Sequence, residues 1–174
     1  MKKLLTLAAL LCVVVPTAVA AQPTAQDPNA KACKAQRNAI GMNAFRLLYA
    51  PTAGPKAAMD SCLSQQAQLV TTETKNAAKA CKTERGTTPA SKAAFDAKYG
   101  TNDNKKNAFG KCVSSTAADE VAAVQQATLN AAKACKTERG TTPASKAAFD
   151  TKYGTNANKK NAFGKCVSQA ATTG

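Results

Sequence analysis

Histidine and tryptophan are absent from the 174 residues, and large apolar side chains are scarce. Residues 22–174 hold five Leu, one Ile, five Val and five Phe, about a tenth of that stretch. A charged chain begins to read as disordered below a level of ~20%. One large Leu/Ile/Val core is therefore excluded. Without histidine there is no imidazole to act as acid, base or metal ligand. Long apolar runs are missing too: the longest, Leu4 to Val15, falls short of the roughly 20 residues that span a bilayer. Acidic residues are few, 10 Asp+Glu against 24 Lys+Arg, for a formal charge of +14. What abounds is alanine, 39 residues of the chain.

The N-terminus reads Met-Lys-Lys, then the apolar run, Pro16, and the small residues Ala18-Val19-Ala20-Ala21. A basic start, a short apolar stretch and an A-x-A site make residues 1–21 a signal peptide, cleaved near Ala20 or Ala21. Cys12 lies inside the apolar stretch after Leu10-Leu11, a poor context for a lipidated cysteine. No transmembrane segment is expected, and the cleaved chain is expected to be exported. Removing Lys2 and Lys3 leaves 22 Lys+Arg against 10 Asp+Glu, or +12. Six cysteines remain, an even number that reads as disulfides in an exported chain.

Self-comparison gives the organisation. Asn76 to Ser114 recurs at Asn130 to Ser168 with two changes in 39 positions, Ala97 to Thr151 and Asp103 to Ala157. A diverged copy precedes them. Ala32-Cys33-Lys34 and Arg37 match Ala80-Cys81-Lys82 and Arg85. Phe45, Tyr49, Met59 and Cys62 then match Phe95, Tyr99, Phe109 and Cys112 after one two-residue gap. The expected fold is all-α: three tandem disulfide-stapled modules of about three helices each, at 29–64, 76–114 and 130–168, with a flexible tail at 169–174. A duplicated unit keeps its own bond, so the pairs are Cys33–Cys62, Cys81–Cys112 and Cys135–Cys166. Each closes about 30 residues, which stabilises by roughly 3–4 kcal/mol in the chain-entropy model. A structural zinc site is the alternative, but no copy offers four ligands.

In the last copy a first helix is expected from about Thr116 to Arg139, with Thr116 and Asp119 as a capping box and Gly140 as its stop. Val121, Val124, Thr128, Ala131 and Cys135 fall on one face of it. Thr142-Pro143 starts a second helix carrying Phe149 and Tyr153. Thr155 or Asn156 opens a third, bearing Ala162, Phe163, Cys166 and Val167. All eight aromatics lie in the copies and read as module cores. No Gly or Pro interrupts 56–85 or 111–139, which favours helical linkers and a rod or short solenoid. The Ser114-Ser115-Thr116 cluster argues instead for a break and beads on a string.

The motifs C-K-T-E-R, A-A-F-D-x-K-Y-G-T-N and N-A-F-G-K-C-V-S, in residues 76–114 and 130–168, resemble a Cys-pair helical unit of exported actinobacterial-type repeat proteins of unknown function. Residues 31–64 depart from it, lacking the Y-G-T-N turn and the Phe of the last helix. The resemblance implies an exported repeat protein and no catalytic residue.

For chemistry, Glu84/Glu138 and Asp96/Asp150 are the only carboxylates repeated between the copies. They read as surface ion pairs, for instance with Arg85 and Arg139, rather than an acid–base couple. No catalytic residue, cofactor or metal is expected, and the chain reads as a non-enzyme. Lys105-Lys106 and Lys159-Lys160 are expected in the first turn of the third helices. There they oppose the macrodipole and, with free N–H groups, would make anion-binding pockets. The expected function is a structural or binding role at the cell envelope with contacts to an anionic polymer; the alternatives are a small apolar-ligand carrier or, third, an enzyme. No aromatic is left to stack bases, so sequence-specific nucleic-acid reading is not expected.

Overall fold

The computed structural model describes residues 27–173, all of its regular structure α-helical. The leader, its cleavage site and Cys12 lie outside the described residues. Seven helices follow one another: α1 Pro28–Ile40, α2 Met42–Tyr49, α3 Pro55–Arg85, α4 Pro89–Tyr99, α5 Ala108–Arg139, α6 Pro143–Tyr153 and α7 Ala162–Thr173. The three expected bonds are present, Cys33–Cys62, Cys81–Cys112 and Cys135–Cys166.

Seven helices rather than nine arise because the linkers vanish into continuous helix. α3 is at once the third helix of module one, the linker and the first helix of module two; α5 does the same between modules two and three. The capping box at Thr116 does not start a helix. Ser114 and Ser115 turn their hydroxyls back onto the Lys111 and Cys112 carbonyls, a local bond that leaves the helical ladder intact. Both long helices stop where expected, at Gly86 and Gly140. Each adopts φ +63° with ψ −168°, a region essentially reserved for glycine. Thr88 and Thr142 then cap α4 and α6 by accepting the Ser91 and Ser145 N–H, with proline at the first helical position. Within the tail expected at 169–174, residues 169–173 are the end of α7, and Gly174 lies outside the described residues.

The rod is replaced by a fold-back. α3 and α5 run antiparallel: Cys81 is bonded to Cys112 in module two, and between the linkers Gln66 accepts from Gln125 at 2.7 Å. The two linkers extend from this antiparallel pair in the same direction, side by side. Module three is thereby carried back against module one. α1 and α2 pack on α5, and α2 also packs on α7. Each long helix, of 31 or 32 residues, measures roughly 47 Å. One end of this pair carries α4 alone; the other carries α1, α2, α6 and α7.

The core follows that arrangement. Modules one and three share one cluster, with Phe45, Ile40, Phe149, Phe163 and Val167 around two disulfides and a bed of alanines. Module two keeps a small core of Phe95, Ala108 and Cys81–Cys112, with Tyr99 and Val113 at its edge. Alanine at the start of every third helix, Ala58, Ala108 and Ala162, is at most 1% exposed, so close backbone approach substitutes for missing large side chains. A buried hydrogen bond lies within module one, where the Tyr49 hydroxyl donates to Gln36 Oε1 at 2.5 Å. The expected face of α5 holds only in part: Ala131 and Cys135 are buried, but Val124 is 39% exposed. Phe109 is the one aromatic exposed rather than in a core.

Candidate functional site

Lys105-Lys106 and Lys159-Lys160 lie ahead of the third helices, not in their first turns. α5 begins at Ala108 and α7 at Ala162, because residues 101–107 and 155–161 form a tight loop. In it the Asn107 side chain takes the Thr101 N–H at 3.1 Å and donates to the Thr101 hydroxyl; Asn161 does the same with Thr155. Lys105 and Lys159 sit at φ +55° and +54°, left-handed backbone that lysine rarely adopts. Their ammonium groups turn back to the Gly100 and Gly154 carbonyls at 3.0 and 2.9 Å, at the negative C-terminal ends of α4 and α6. Gly100 and Gly154 are required here, since a Cβ would stand 2.7–2.8 Å from the lysine stem. These two lysines therefore close a loop, and each pair presents one ammonium outward, from Lys106 or Lys160, both exposed. The two loops stand at opposite ends of α5, so a single small anion cannot reach both.

A second basic feature arises only from the fold-back. At the seam between modules one and three, the bend between α1 and α2 faces the end of α5. A cleft of about 430 Å³ there is lined by Ala39, Lys133, Lys136 and Gly140. An adjoining one of about 170 Å³ brings Lys136 together with Arg139 and Lys146. Of these four cations, only Arg139 has an acidic partner among the described residues, Asp150 at 3.8 Å. Lys133, Lys136 and Arg139 recur in module two as Lys79, Lys82 and Arg85. There no helix faces them to make a cleft, and sequence reading alone gave no reason to single out the set.

The repeated carboxylates are surface partners. Glu84 accepts from Lys98 at 2.6 Å and from the Tyr99 hydroxyl at 2.9 Å, and Glu138 repeats this with Lys152 and Tyr153. The hydrogen bond from the lysine, first, and that from the tyrosine hold both carboxyls below the ordinary range and raise both lysines. Asp96 has no ion pair with Arg85 corresponding to that of Asp150 with Arg139. Among the described residues, no three His, Cys, Asp or Glu side chains are placed together to hold a metal ion.

One apolar concavity stands out, an open groove of about 560 Å³ between the middle of α3 and the first half of α5. Module two and the two linkers line it together, Phe109 and Val113 with Val70 and Val121.

The three disulfides fit an oxidising, extracytoplasmic setting. No helix among the described residues is long and apolar enough to cross a membrane. Compared with known proteins, the chain matches no family model, no curated protein and no solved structure.

Proposed function

We propose that this is an exported, non-enzymatic binding protein of the cell envelope that grips an anionic polymer. The observation that supports it best is the convergence of Lys133, Lys136, Arg139 and Lys146 on the seam between modules one and three, with one acidic partner among them. Lys160 opens on the same end of the molecule and Lys106 on the far one, so contacts separated by nearly the length of α5 favour a polymer over a small ion. A chain with 22 cations and 10 acids past its leader binds polyanions through released counterions, and that binding weakens steeply with salt.

Retention of the oxidised chain on isolated cell wall, measured over a salt series, tests this reading. Retention at low salt that disappears toward molar salt is expected. Replacing Lys133, Lys136 and Lys146 by Gln, with Lys106→Gln and Lys160→Gln, should release the protein at lower salt than Lys31→Gln, Lys34→Gln and Lys75→Gln. No retention at low salt, or retention indifferent to molar salt, contradicts the proposal. Equal loss per lysine in the two sets would mean diffuse charge and no defined cleft.

A further inference from the structure

We propose that the apolar face where module two meets the linkers, formed by Val70, Ala78, Phe109, Gly110, Val113 and Val121, docks a leucine-bearing amphipathic helix of another polypeptide. The chain carries its own precedent. Residues 108–114 and 162–168 have the same sequence, Ala-Phe-Gly-Lys-Cys-Val-Ser, yet their surroundings differ. In module three the surface is covered: Ala132, Phe163 and Val167 are 1–3% exposed, and the Leu48 carbonyl lies 3.7 Å from where a Gly164 Cβ would be. The cover is α2, whose Leu47 and Leu48 pack against the shared core.

In module two the matching residues, Ala78, Phe109, Gly110 and Val113, line the open groove. Phe109 is 37% exposed, and a Cβ on Gly110 would meet nothing within 4 Å. Apolar surface of this kind, buried in one copy and bare in its near-duplicate, marks a docking face without its partner. None of its ten lining residues is charged, so it does not repel an apolar helix. From Phe109 to Val121 it runs about 18 Å, room for three turns. An amphipathic helix laid in a groove is a common recognition mode.

With the leader cleaved, as the proposed export requires, the lid comes from a different polypeptide. Leu47 and Leu48 correspond to Ala97 and Lys98 in α4 and to Thr151 and Lys152 in α6, so among the described residues α2 is the one leucine-bearing lid. It is already seated on its own module three, where tethering gives it a high effective concentration. A second copy therefore has no free lid to offer.

A synthetic peptide of residues 28–49 with Cys33→Ser, the chain's own lid sequence, is the probe. It is titrated into the isotope-labelled, disulfide-bonded chain at about 0.3 M salt, which screens the like charges. Saturable shifts of the Phe109, Val113 and Val121 signals are expected. F109D in the protein, or L47D with L48D in the peptide, should each weaken binding about tenfold or more. F109D is checked for native helix content and disulfides. A helix-stapled form of residues 42–49 covers the case of a peptide that does not fold alone. No saturable shift with either probe near millimolar concentration overturns the proposal, as does binding indifferent to F109D. Phe109-dependent self-association without peptide would make a second copy the occupant, and dodecanoate binding there without peptide binding would make it a lipid site; both overturn it. Docking should strengthen with salt while wall retention weakens, so the two proposals fail separately.

Discussion

Tyr49, Tyr99 and Tyr153 occupy one position of the repeat, but their hydroxyls meet different partners. In modules two and three the partner is an exposed glutamate paired with lysine; in module one it is Gln36, 5% exposed, and the lysine is replaced by Leu48. Burying the Lys–Glu pair beneath a lid would cost desolvation of both charges, and the neutral pair avoids it. Tyr49→Phe leaves the Gln36 carbonyl without its donor and should destabilise by about 1–3 kcal/mol, read as a lower denaturation midpoint. Burial raises the Tyr49 hydroxyl above its ordinary value of 10.0. Its contribution is therefore complete below pH 10 and lost as pH rises through the raised value. A tyrosinate absorbance step that comes late and vanishes in Tyr49→Phe is expected. Glu84 and Glu138 are shifted the other way, so their contribution is complete above the ordinary carboxyl value of 4.5 and lost as pH falls through the depressed one. Both are solvent-exposed pairs, so the effect is small; Glu84→Gln with Glu138→Gln should flatten the acid side of a melting profile. Lys105 adds a contest of signs. Lys105→Ala keeps the left-handed backbone and loses the bond to Gly100, whereas Lys105→Gly loses the bond but relieves about 1 kcal/mol of strain. The alanine variant should melt lower.

At the level of elements, punctuation was largely legible. Gly86, Gly140, Thr88-Pro89 and Thr142-Pro143 start and stop helices as their backbone chemistry requires. Side chains whose hydrogen bonds can serve two purposes are less legible. Ser114, Ser115 and Thr116 read as a break, with Thr116 as a cap, but they bond backward or stand beside Cys81 within continuous helix. Thr155 and Asn156 read as a helix start but belong to a loop held by Asn161. The absence of Gly and Pro from 111–139 was the stronger signal. Continuity of α5 is tested by Ala123→Pro on its exposed midsection. An interior proline costs ~3 kcal/mol or more, so helicity and melting temperature should both drop. Beads joined by a loose linker would tolerate it.

For the whole molecule, the fold-back follows from two features visible in the repeat: antiparallel first and third helices, and linkers that prolong them. What sequence alone did not show is that this brings module three under module one. The trace was present as Leu47 and Leu48 where the other copies have Ala or Thr and Lys, and as Gln36 where they have Glu. The basic seam at Lys133, Lys136, Arg139 and Lys146 was illegible for the same reason, since its residues recur in module two without a facing helix. Near-identity of the copies supplies an internal control: Phe109 and Phe163 share their neighbours in sequence and differ only in what covers them. Solvent paramagnetic relaxation of phenylalanine ring protons, with a soluble gadolinium chelate and the disulfide-bonded chain, measures that difference directly. Strong relaxation of Phe109 with little at Phe163 is the predicted result; equal relaxation of the two rings would mean that the modules stand apart, and would contradict it.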